Sequence, residues 1–156
     1  MSAESDVSKA FVSRWNASAA VVDAVPGGIS ADRVATSVDK PVQRPYAEFS
    51  VKQGPRPNDH TTNGSAAEFQ NEWIDYQALT IKIHGVGKDA VGDVVSTVRA
   101  MMEAKLPAWS VENTVGFMRL ENLPGEANEI DPANKEGEDY RVATIPYCVW
   151  THRKVG

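Results

Sequence analysis

The sequence predicts an α+β fold: a mainly antiparallel sheet of about four strands, packed by an N-terminal helix and a central helix, in the order α-β-β-α-β-β. Three observations predict it. The run "ALTIKIHGV" alternates, with Leu79, Ile81 and Ile83 on one face and Thr80, Lys82 and His84 on the other, the period of a strand with one wet side. Directly after it, "GKDAVGDVVSTVRAMMEAKL" puts Val91, Val94, Val95, Val98, Met101 and Met102 at the spacing of a single helical stripe. The chain then closes on "DYRVATIPYCVWTHR", a long aromatic-rich strand. A half-wet sheet covered on its other face by helices is an α+β arrangement.

Taken in order, the first element is a helix over about 5–24, with Val7, Phe11, Trp15 and Val22 mostly on one face and Ala19 between them. Pro26 and the pair Gly27-Gly28 end it. "RPYAEFSVKQ" reads as a strand whose Tyr46, Glu48 and Ser50 oppose Ala47, Phe49 and Val51. A polar Pro/Gly/Asn-rich stretch follows, too long and too polar to build a core, and is expected as a mobile loop over about 53–72. The long strand and the central helix come next, stopped by Pro107. "VGFMRLEN" is a further strand, and the acidic stretch after it a second mobile loop over about 122–138. Pro146 lies inside the last strand, which predicts a sheet edge or a bulge there.

The 156 residues make one domain, long enough to bury a core without staples. No stretch approaches the roughly 20 apolar residues that span a bilayer, and the opening "MSAESDVSKAF" lacks the basic and apolar regions of a secretory signal. Cys148 is the only cysteine, which excludes an internal disulfide and a cysteine-based zinc site; among Tyr147, Val149 and Trp150 it is expected to be buried and inert. A net charge of -5 argues against a groove that grips nucleic acid, though not against a surface that DNA slides past.

The corner "IKIHGVGKDAVGD" is where a nucleotide would be sought, since Gly85, Gly87 and Ala90 fit the G-x-G-x-x-G/A spacing. A P-loop is excluded, because Lys82 stands where its first glycine belongs and Asp89 where Ser or Thr belongs. Parallel strands of a dinucleotide fold are buried on both faces, whereas this one alternates. Asp89 and Asp93, placed in the first turn of the helix, complement its dipole and repel a pyrophosphate. The corner is therefore a turn. His60, His84 and His152 are scattered without metal-ligand spacing, no G-x-S-x-G elbow is present, and Ala133 breaks the calcium-loop pattern in the acidic stretch. No cofactor, metal or catalytic residue is expected, and the chain reads as a non-enzyme. Trp73 and Trp109, beside charges at element ends, are candidate interface anchors.

The succession of elements (N-terminal helix, glycine turn at Gly27-Gly28-Ile29, Pro45-Tyr46 strand, long amphipathic strand, Val-rich helix after a glycine corner, short strand and the final "YCVWTHR" strand) resembles the tail terminator, or tail completion, proteins of tailed bacteriophages. The resemblance spans the whole chain as a pattern of elements. It implies a structural virion protein, located at the head-tail junction and assembled in the host cytoplasm. Such a protein forms a homohexameric ring that caps the tail tube, ends its polymerisation and meets the neck. Implied partners are other copies of the chain, the major tail tube protein, a neck or head-completion protein and, if the tail is contractile, the sheath; DNA passes through the lumen without specific binding. The acidic residues Glu126, Glu129, Asp131, Glu136 and Glu138 are the candidate lumen or interface residues. A neck or head-closure protein is the alternative within the virion, and a small enzyme or a ligand-binding or nucleotide-binding domain using His84, Asp89 and Glu121 the alternative of another class.

Overall fold

The hydrophobic pattern folds as two layers, helices on one face of a six-stranded mixed sheet. The computed structural model describes residues 3–31, 43–53, 74–104, 115–122, 126–132, 134 and 137–153. Helices α1 (Ala3–Ala17) and α2 (Ala19–Ala24) precede strands β1 (Ile29–Ala31), β2 (Tyr46–Gln53) and β3 (Ile74–Val86). Helix α3 (Lys88–Glu103) and strands β4 (Val115–Asn122), β5 (Ala127–Ile130) and β6 (Tyr140–Arg153) complete the order. The sheet runs β1-β2-β3-β6-β4, and β5 pairs with β6 beyond the end of β4. Among the described residues only the β1–β2 pairing is parallel; the others are antiparallel.

Four expectations are corrected by this architecture. The first helix is two helices, because the Ser18 side chain accepts a hydrogen bond from the Val21 amide and starts a new one. The break shifts the helical phase, so Val21 is buried and Val22 is 42% exposed. The sheet has six strands, since β1 and β5 join it by pairing along β2 and β6. Strand β5 lies inside the stretch expected as a mobile loop over 122–138, while residues 54–72 of the other expected loop lie outside the described residues. Asp93 falls in the second turn of α3, leaving Asp89 alone in the first.

The alternations seen in the sequence set the core. Leu79, Ile81 and Ile83 of β3 face Tyr147, Ile145 and Ala143 of β6, and all six are buried. Val91, Val95, Val98, Met101 and Met102 bring α3 onto them; Val7, Phe11 and Trp15 bring α1. Phe11 sits 5.8 Å from Trp15 edge-to-face and 4.9 Å from Phe49, spacings at which aromatic pairs attract. Arg14 ties the two helices together, donating to the carbonyls of Met101 and Ala104 at the C-terminal end of α3, where helix carbonyls lack internal partners.

The glycine corner is built by two different means. Gly87, the N-cap of α3, takes φ +86° and so permits the turn. At Gly85 the need is space, since a Cβ would lie 2.5 Å from Val91 Cγ2. Pro146 lies within the sheet, with β3 on one side. On the other side β4 pairing ends at Tyr147 and β5 pairing begins at Thr144, so a proline sits in the gap between two partners.

Candidate functional site

The residues of the sheet that turn away from the helices form a second surface. Tyr46, Glu48, Ser50 and Lys52 of β2 stand beside His84, Lys82, Thr80 and Ala78 of β3. Strand alternation alone dictates this polar row, because the intervening residues fill the core.

At one end of the row the charges are drawn inward. His84 is 9% exposed and its ring stacks on Tyr46, with centroids 4.6 Å apart and planes 12° from parallel. Its Nε2 lies 2.8 Å from Glu48 Oε1, and its Nδ1 lies 3.5 Å from Asp131 Oδ2. Asp131 is 6% exposed. It accepts from both terminal nitrogens of Arg44, at 3.3 and 3.2 Å, and Arg44 also donates to the Gly85 carbonyl at 3.4 Å. The guanidinium lies 3.9 Å from the centre of the Tyr140 ring and 5.4 Å from that of Tyr46, within cation–π range. Burial pushes the Tyr46 hydroxyl above its ordinary range. The cluster joins the residues leading into β2, the end of β3 and the turn after β5. Both ring nitrogens of His84 face carboxylates, so this histidine fastens segments together.

The acidic stretch therefore does not act as one patch. Asp131 is the inner anchor, which corrects its place among the exposed candidates. Glu126 binds Arg99 of α3, and Asn128 donates to the Lys88 carbonyl at 3.2 Å. Asp139 pairs with Arg141 at 2.7 Å, and its carbonyl accepts from the Gly87 amide at 2.8 Å. Glu129 and Glu138 remain exposed. Glu136, Trp73 and Trp109 lie outside the described residues, as does His60. Among the described residues no group of three or more His, Cys, Asp or Glu side chains is arranged to hold a metal ion, and no helix is long and apolar enough to cross a membrane.

Arg99 also reaches inward, donating to the Tyr147 hydroxyl at 3.2 Å. Tyr147 is fully buried, and burial pushes its hydroxyl up to about 12, against the pull of Arg99 in the other direction. The folded state therefore prefers the neutral phenol more strongly than the unfolded chain, whose tyrosines ionise near about 10. The resulting stability is complete below about pH 10 and is lost as the pH rises through about 12, a fading of about 2–3 kcal/mol. A phenolate absorbance titration should show one of the four tyrosines ionising only near about 12, and Tyr147→Phe should remove that step. A titration with all four ionising together near about 10 would contradict the burial.

Sequence reasoning missed Arg44, Glu48 and Tyr140. Glu48 was legible in part, since alternation put it on the His84 side of its strand. Arg44 precedes its strand and Tyr140 begins one, and neither position carried a pattern. No protein-family model matches the chain, and no characterised protein matches it in sequence.

Proposed function

We propose that the chain is a structural assembly protein of a tailed-phage particle, a tail terminator that closes into a ring on the end of the tail tube, stops tube growth and joins the tail to the neck. The observation that carries this reading is a sheet with unlike flanks. Helices bury one face, the other carries a polar row along β2 and β3, and among the described residues the two outer strands differ: β1 is three residues long and parallel to its neighbour, whereas β4 is eight residues long and antiparallel. Subunits with unlike flanks can meet head-to-tail, and head-to-tail contacts that close give rings. The helix that follows the long central strand at a glycine corner agrees with the resemblance in the sequence. A net charge of -5 suits a lumen that DNA slides past, since little counterion release holds DNA to an acidic wall.

In this role the partners are further copies of the chain, the major tail tube protein and a neck protein, with the sheath added in a contractile tail. Co-expression with the tube protein of the same particle tests it by electron microscopy. Tubes of bounded length carrying a six-subunit cap at one end are expected. If tube lengths stay unbounded and the chain does not sediment with the tubes, the reading is wrong.

A further inference from the structure

The polar face of the sheet carries a groove of about 180 Å³ along β2 and β3, lined by Glu48, Phe49, Ser50, Lys52, Thr80 and Lys82. The register places Glu48 opposite Lys82, Ser50 opposite Thr80 and Lys52 opposite Ala78. Glu48 would be the natural partner of Lys82 across the strands, but its carboxylate is taken by His84 at 2.8 Å. Lys82 and Lys52 are both exposed and have no ion-pair partner among the described residues. Four strand positions and one strand step separate them, about 14 Å between their α-carbons. Two ammonium groups with two hydroxyls between them form a row of donors that fits an extended acidic segment.

The same chain presents an extended edge with one exposed carboxylate elsewhere. Strand β5 pairs only with β6 among the described residues, so no described strand covers its outer edge. Glu129 on it is exposed and has no ion-pair partner among the described residues. Ile130 beside it is 59% exposed, the most exposed of the large apolar side chains described, and Glu138 is exposed on the turn that follows. We propose that the β5 edge of one copy docks into the β2–β3 groove of the next, with Glu129 meeting the ammonium groups of Lys82 and Lys52. Groove and edge are different surfaces of one chain, so the contact is head-to-tail and can repeat around a ring. The inference deepens the ring reading and rests on it, as its subunit contact. It gives the acidic edge an occupation between subunits in place of the lumen wall.

Charge reversal tests it, because the two surfaces can be inverted independently. In sedimentation at low salt the full chain should self-associate, while K52E/K82E and E129K should each remain monomeric. An equimolar mixture of the two variants should associate again, since each supplies the surface the other has inverted. Raising the salt from about 50 to about 500 mM should weaken wild-type association by about tenfold or more. The variants K52Q/K82Q and E129Q, which only neutralise charge, should weaken association without abolishing it; they carry the test if a reversal impairs folding, which circular dichroism reports. The contact is overturned if the wild type stays monomeric, if either reversal leaves association unchanged, or if the mixture associates no better than its components. K52E/K82E that still caps tail tubes sinks the contact and keeps the ring; a wild type that associates through these charges yet never caps a tube sinks the ring and keeps the contact.

Discussion

Asp131→Ala is expected to lower the unfolding free energy by about 3–5 kcal/mol, the usual consequence of removing one partner from a buried ion pair. The side chains of Arg44 and Asp131 are 16% and 8% exposed, so solvent screens their attraction far less than it does at a surface. With the carboxylate gone, the guanidinium keeps the Tyr140 ring and the Gly85 carbonyl, but neither returns the opposite charge. His84 loses its contact at Nδ1 in the same step. Asp131→Asn should also be costly, since it keeps an acceptor while leaving Arg44 uncompensated. The double variant Arg44→Met/Asp131→Leu should recover much of the loss, because apolar groups of similar volume often replace a buried pair at little cost. Urea denaturation of the wild type, Arg44→Met, Asp131→Leu and the double variant gives the coupling directly. A single-variant loss below about 1 kcal/mol would place the pair among surface salt bridges, not buried anchors.

That anchor also explains what the sequence could and could not tell. The β3 alternation and the α3 stripe were legible because burial on one face writes a period into the sequence, over 79–84 in β3 and over 91–102 in α3. Both appear in the structure with the core residues expected of them. Strand β5 left no such mark. Its four residues, Ala127 to Ile130, sit in a run of acidic and polar residues, and their extended form comes from pairing with β6, a partner more than ten residues away in sequence. Strand β1 is extended by β2 in the same way. The break at Ser18 was within reach, since a serine ahead of a short apolar run is a helix-start signal; the apolar spacing on either side of it masked the signal. For Asp131, position in an acidic run argued for solvent, and only the docking of β5 brings it under Arg44, 87 residues away in sequence. The outward-facing residues of the candidate site were placed by alternation, whereas the inward charge cluster depends on tertiary pairings that no local pattern records.

Gly27→Ala is the second large effect, expected to cost about 3 kcal/mol or more, at or above the upper end of what overpacking does. A Cβ on Gly27 would lie 1.9 Å from the Gln43 carbonyl oxygen, 2.6 Å from Tyr46 Cβ and 2.9 Å from the Pro45 carbonyl oxygen. Two of these are backbone atoms, which cannot swing aside as a flexible side chain can. The Gly27 amide donates to the Pro45 carbonyl at 3.0 Å, and the Ala47 amide donates to the Gly28 carbonyl at 2.9 Å. Relief therefore requires pulling the turn after α2 away from the start of β2, which breaks these bonds and the parallel β1–β2 pairing they lead into. Tyr46 moves with that start, and its stacking on His84 moves with it. Gly28 is the control one residue on: a Cβ there meets nothing within 4 Å, but φ is +80°, so Gly28→Ala carries only the left-handed penalty of about 1–2 kcal/mol. Denaturant midpoints of the two variants should therefore fall in the order Gly28→Ala above Gly27→Ala. The reverse order would mean that the turn yields easily, and that the close approach of α2 to β2 does not hold the edge of the sheet in place.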